Sequence, residues 1–169
     1  MRRRTPALVG LVLVALVFAG CSTGSLERTS APTLPDVTLQ AFDSGPSLAL
    51  ASLRGPAVVN VWASWCGPCR RELPRYQAFA QKYAGQVKVL GIDFQDPRHD
   101  KAQQLVDRTG VRYPLYRDLD GAVHATVLPE LILVDARGRV AHRAYVEIRS
   151  VAQLEQLVRT HLGDLRSRP

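Results

Sequence analysis

Two kinds of apolar pattern alternate along this chain, and each switch between them marks an element. From Val37 to Leu50, short alternating apolar segments surround Asp43-Ser44-Gly45-Pro46, the signature of a β-hairpin. Ala57 to Trp62 is a continuous apolar run after Gly55-Pro56, as expected of a strand buried on both faces. The period then becomes helical. Leu73, Tyr76, Phe79, Ala80 and Tyr83 form one stripe along Arg70 to Tyr83, with Pro74 at a kink or near the first turn. Val87 to Phe94 reads as the next buried strand, and Asp96 to Thr109 as a helix closed by Gly110. Leu131 to Val134 and Val140 to Val146 read as strands joined by a turn at Asp135-Ala136-Arg137-Gly138. Ser150 is the expected N-cap of a last helix, whose Val151, Leu154, Leu157 and Val158 face the core.

Strands alternating with helices in the middle of the chain imply parallel crossovers, and the terminal hairpin implies a mixed sheet. The expected class is α/β: a central mixed sheet flanked by helices, with an N-terminal β-hairpin extension, over residues 36–165.

Composition and charge change the picture mainly at the N-terminus. An apolar fraction of 46% and a charged fraction of 22% describe an ordinary globular domain, neither disordered nor fibrous. The net charge of +7 is partly local, because Arg2, Arg3 and Arg4 precede an apolar run from Ala7 to Gly20. Those are the two leading regions of an export signal. The run falls short of the roughly 20 residues that a membrane span needs. Val17-Phe18-Ala19-Gly20-Cys21 resembles a bacterial lipoprotein signal, with Phe18 where Leu is commonest. The resemblance implies that residues 1–20 are a removed signal peptide, that Cys21 is lipidated, and that the chain is held at the extracytoplasmic face of the cell membrane. The Ser-, Thr-, Gly- and Pro-rich stretch that follows completes a flexible tether over 21–35. Without residues 1–20 the chain holds 19 basic and 15 acidic residues, a balance of +4. That excess suits an anionic membrane surface; no basic run interleaved with aromatics points to nucleic acid.

The candidate chemistry lies in Trp65-Cys66-Gly67-Pro68-Cys69, between a strand and a helix. The thiolate is the nucleophile of disulfide exchange, and a helix N-terminus at Cys66 favours an anion there. Cys69 lies one turn on, as a resolving thiol. Pro68 stiffens a first turn where an amide proton is not needed, and Gly67 keeps the approach to Cys66 open. Other readings exist. Half of a zinc site would need further paired ligands, whereas His99, His124, His142 and His161 are scattered and no metal or other cofactor is expected. A purely structural disulfide would close too short a loop to stabilise much. Trp62 is expected in the core and Trp65 at a contact surface beside the site.

The element order, with that motif between strand and helix, is that of a thioredoxin fold. Val59 to Glu72 resembles thioredoxins, and more closely the TlpA/ResA/DsbE-like branch of extracytoplasmic, membrane-tethered thiol–disulfide exchangers. Gly91-Ile92-Asp93, Tyr113-Pro114 before Asp118-Leu119-Asp120-Gly121, and Leu128-Pro129 before Leu131 to Asp135 are further landmarks, so the likeness spans roughly 35–162. It implies a cis-proline at Pro129 packed on the redox disulfide Cys66–Cys69, with Leu128 offering backbone groups to an extended substrate chain. It also implies a role for Glu72 in tuning thiol ionisation, the alternative being a solvated first-turn acid. Asn60 stands where thioredoxins carry a buried Asp. Asp93 is placed either near the site or at a strand end. The stretch from Gly121 to Pro129 is shorter than usual, Glu130 replaces a Thr, and Tyr145-Val146-Glu147 replaces a glycine-containing turn. These departures bear on the partner rather than the fold.

The partners so implied are exported proteins with Cys pairs, apocytochrome c among them, a membrane thiol–disulfide electron donor, and the membrane through a lipid anchor. The Gly-Pro dipeptide is that of reducing thioredoxins and favours a reductase; the alternative is a disulfide donor in oxidative folding. Outside this class, a thiol-independent binding module would survive loss of both cysteines. A thiol peroxidase would need a Pro/Thr-containing loop around a single peroxidatic Cys, and that loop is missing here.

Overall fold

The computed structural model describes residues 32–165. The expected signal peptide, Cys21 and the tether as far as residue 31 lie outside the described residues. Seven strands, β1 (Thr38–Ala41), β2 (Leu48–Ala49), β3 (Ala57–Trp62), β4 (Lys88–Phe94), β5 (Leu115–Asp118), β6 (Glu130–Val134) and β7 (Val140–Ala144), form one sheet in the order β2-β1-β5-β4-β3-β6-β7. Three helices accompany them: α1 (Gly67–Lys82), α2 (His99–Thr109) and α3 (Val151–Leu162). The strands β3, β4 and β5 run parallel and all other pairings are antiparallel, so the sheet is mixed, as the pattern implied.

β3 lies at the centre because all six of its residues are buried, so both faces can be covered. Each buried Val there contributes about 1.5–3 kcal/mol relative to exposure. Val58 and Trp62 face a core made with Leu73, Tyr76 and Phe79 of α1, Leu105 and Val106 of α2, and Leu154 and Val158 of α3. Val59 and Val61 face a second core, which Leu34, Leu39, Leu50, Leu53 and Val123 cover without an α-helix. Gly91 of β4 sits where a Cβ would come within 2.6 Å of Leu115, 3.0 Å of Trp62 and 3.2 Å of Tyr113, so packing on the helix face requires glycine there.

Several expectations need correction. β5 is a strand that the apolar pattern does not predict; it pairs with β4 and carries β1 and β2 onto the sheet. α2 begins at His99 rather than Asp96. Of the two expected places for Pro74, the helix interior is the one it takes. The neighbouring Arg71 carbonyl takes a 2.8 Å bond from Arg75 Nη1, beside the Arg70 carbonyl to which Pro74 cannot donate. Residues 32–35, assigned to the tether by composition, pack on the domain: Leu34 is buried, Thr33 bridges Arg139, and Val140 N donates to Pro32 O at 2.7 Å. Ser150 caps α3 as expected, its Oγ accepting from Gln153 N.

Candidate active site

β3 ends at Trp62 and α1 begins at Gly67, so the chain must turn over Ala63 to Cys66. Cys66 N donates to Ala63 O at 3.1 Å, and Ser64 N donates to Asp96 Oδ2 at 2.6 Å. The fully buried Asp96 also takes Arg98 N at 3.1 Å, so it ties the loop after β4 to the loop that aims Cys66. The helical pattern expected from Asp96 carries no sign of this role. The signal was Asp96-Pro97 directly after a buried strand, since the residue before a proline avoids helical geometry.

Cys66 is the N-cap of α1, with extended backbone, and its Sγ accepts from Cys69 N at 3.2 Å. Cys66 and Cys69 form a disulfide with a Cα–Cα distance of 5.3 Å. Cys66 retains a sliver of exposure and Cys69 none, which suits Cys66 to meet a partner and Cys69 to resolve. On reduction, the free amides and partial positive charge of the helix start would face the Cys66 sulfur. Pro68 lies in the first turn, and a Cβ at Gly67 would meet only the Arg70 and Arg71 guanidinium groups at 3.9 Å. Trp62 is buried, as expected of a core residue, and Trp65 is 49% exposed.

Glu72 is fully buried, so the solvated alternative is set aside. Its Oε2 accepts from Ile148 N at 2.9 Å, while Oε1 has no hydrogen-bond partner. Burial pushes its carboxyl up to about 8, opposed by the Ile148 amide, so Glu72 is mostly protonated at neutral pH. Asp93, in register with Trp62 and Arg117, is also fully buried with both oxygens unpartnered. Burial and then repulsion from Asp96 push it up to about 8, against the pull of Arg117. Asn60 is buried between Gly91 and Leu131 on the neighbouring strands.

The Leu128–Pro129 bond is cis, as is Gly55–Pro56, which the sequence reading did not anticipate. Pro129 is buried, Leu128 half-buried and Val127 57% exposed. Next to Pro129, the buried Glu130 pairs with Arg143 at 3.0 Å; burial raises its carboxyl and Arg143 opposes the rise. Thr126 Oγ1 donates to the hydroxyl of the half-exposed Tyr145, and Arg71 grips Glu147 through bonds of 2.9 and 2.8 Å. The segment from Tyr145 to Glu147, which stands in place of a glycine-containing turn, therefore braces α1. The structure also brings together two histidines that looked scattered: His142 and His161 stack with ring centroids 3.8 Å apart.

A nucleophilic thiol at a helix start, its buried partner one turn on and a cis-proline segment can exchange a disulfide with an extended chain. Comparison with known proteins agrees. The profile of the AhpC/TSA family matches residues 31–143. A thiol:disulfide interchange protein DsbE homolog of Paracoccus denitrificans is 31% identical, over 85% of this chain and 86% of its own length. The thiol-disulfide oxidoreductase ResA of Geobacillus thermodenitrificans is 29% identical, over 77% of this chain and 79% of its own. A secreted thiol-disulfide isomerase from Corynebacterium glutamicum superposes with a TM-score of 0.61 at 26% identity, covering 73% of this chain and 81% of that one.

Proposed function

The chain belongs to the AhpC/TSA family, as a thiol–disulfide oxidoreductase of the DsbE/ResA type with a thioredoxin fold, and from that premise we propose a more specific role. It is held by a lipidated Cys21 at the extracytoplasmic face of the bacterial membrane, where it reduces disulfides in exported proteins, apocytochrome c among them. The Cys66 thiolate attacks one sulfur of the substrate disulfide, and the other leaves as a thiolate that takes up a proton. Cys69 then attacks the mixed disulfide, which releases the second substrate thiol and forms Cys66–Cys69. A membrane thiol–disulfide donor returns two electrons and two protons. Electrons pass between sulfur pairs throughout, so no further cofactor is required. Trp65, Gly67, Pro68, Leu128 and Pro129 form the contact surface for the extended substrate.

The observation that carries the reducing direction is the buried Glu72, one turn beyond Cys69, with one oxygen unpartnered. Disulfide donors are strong oxidants because their reduced thiolate is stabilised. A buried carboxyl one turn from Cys69 withholds that stabilisation when it ionises, as pH rises through about 8, because a second negative charge then disfavours a thiolate nearby. The test is a trapping experiment with the Cys69→Ser variant and an oxidised CxxCH peptide. A mixed disulfide at Cys66 is expected. Failure to accumulate it, while an unrelated disulfide peptide is trapped, counts against this substrate class.

A further inference from the structure

The end of the sheet opposite the disulfide has a surface chemistry of its own. β3 starts there, with Ala57 in register with Lys88 and Val134. A strand rises about 3.3 Å per residue, which puts this pole roughly 20 Å from the turn into Cys66. Arg54, Lys88, Arg137 and Arg139 meet there and all are exposed. Lys88 Nζ donates to Arg54 O at 2.8 Å, Gly55 N donates to Asp135 O at 2.9 Å, and the Arg54 side chain lies against Gly138. The acid bonded within the group is Asp135, paired with Arg139 at 2.8 Å, so the patch keeps a positive excess. Towards the disulfide, Arg71 is paired with Glu147 and Lys101 with Asp100, but Arg70, Arg98 and Arg149 are exposed as well, so charge alone does not distinguish the two ends.

The leading segment arrives at this same pole, through the Pro32–Val140 bond and the bridge between Thr33 and Arg139. From Cys21 to Pro32 a fully extended chain reaches at most about 40 Å. A surface charge is felt over about 8 Å at physiological salt, so a tether of that reach leaves room for the domain to float free or to dock. We propose that this cationic pole docks on an anionic phospholipid surface and turns the disulfide outward, toward exported partners. The inference rests on the anchoring proposed above, because the anchor decides which pole lies nearest the membrane. Cations near an anionic leaflet then hold it there.

The three lysines of the sequence provide the probe: Lys88 lies in the patch, Lys101 at the start of α2 near the disulfide end, and Lys82 at the end of α1. The full chain, produced in a bacterium that processes lipoproteins, is mixed with vesicles of phosphatidylcholine, with and without phosphatidylglycerol. It is then acetylated briefly and read by mass spectrometry. The expected result is sedimentation with both vesicles. Lys88 should label severalfold more slowly on the anionic ones, Lys101 should be unchanged, and high salt or Arg137→Glu should reverse the protection. An equal Lys88-to-Lys101 ratio on both vesicles, in protein that sediments with both, overturns docking and leaves the anchor standing. Sedimentation with anionic vesicles alone, with Lys88 protected, overturns the anchor and supports the docking face. Sedimentation with neither overturns both.

Discussion

The two ends of the sheet differ in how they treat some of their acids. At the disulfide end Asp96 is satisfied by the Ser64 and Arg98 amides, but two other buried acids are left short of partners: Glu72 Oε1 and both oxygens of Asp93 accept nothing. At the other end Asp135 accepts from Arg137 N, Arg139 N and Arg139 Nε, while the Arg54 guanidinium donates to the Ala51 and Leu53 carbonyls. The carboxyls respond accordingly. Burial pushes Glu72 and Asp93 up to about 8, whereas its bonds to Arg139 and Arg137 hold Asp135 below the usual range. An unsatisfied buried polar group costs about 1–3 kcal/mol. The difference shows where the fold gives up stability, namely at the end that carries the redox pair, and where it keeps it.

The largest expected effect is confined to one end. Cys66→Ser removes the nucleophile, and disulfide-reduction turnover in dithiothreitol falls to background while the fold is retained by circular dichroism. Next come matched variants at the two ends. Asp96→Ala leaves the Ser64 amide unpaired, costing about 1–3 kcal/mol in urea unfolding, and it slows exchange by loosening the turn into Cys66. Asp135→Ala costs about 0.5–1.5 kcal/mol and leaves the exchange rate unchanged. If both variants slowed exchange equally, the division between the ends would fail.

Glu72 and Asp135 also divide the pH axis. A folded-state pKa raised from 4.5 to about 8 means that Glu72 binds its proton more tightly when folded, so its contribution is full below 4.5 and is lost as pH rises through about 8. Asp135 runs the other way: its depressed pKa gives a contribution present above the unfolded value of 3.8 and lost as pH falls through the lower folded one. Melting temperatures across pH should therefore fall on the alkaline side with a slope that Glu72→Gln reduces. The acid-side fall is the one that Asp135→Asn reduces. The smallest effect belongs to Trp65→Ala, which raises KM for a protein substrate by a fewfold and shifts stability by no more than about 0.5 kcal/mol.

What the sequence made legible follows the same division. β3 and the apolar stripe of α1 were readable because five of the six β3 residues are apolar and the helical spacing persists past Pro74, and the Cys pair because its spacing carries its own chemistry. β5 escaped because Leu115-Tyr116-Arg117-Asp118 is short and mostly half-buried, and declares itself only through β4 and β1. The burial of Glu72 escaped because an acid near a helix start normally faces water. What covers it is Ile148 and the turn braced by Arg71 and Glu147, residues far apart in sequence. Asp96 was read as the start of a helix, whereas its carboxylate is spent on Ser64, a contact that no local pattern records.

The central claim is that Cys66 and Cys69 form a reducing couple, and the reduction potential tests it most directly. The chain is equilibrated in graded dithiothreitol or glutathione buffers, and the Cys66–Cys69 disulfide is quantified by thiol alkylation and mass spectrometry. The account predicts a value near or below roughly −220 mV, in the range of glutaredoxins and thioredoxins. A value near about −120 mV, that of a strong disulfide donor, would contradict it and make the protein an oxidant of exported chains.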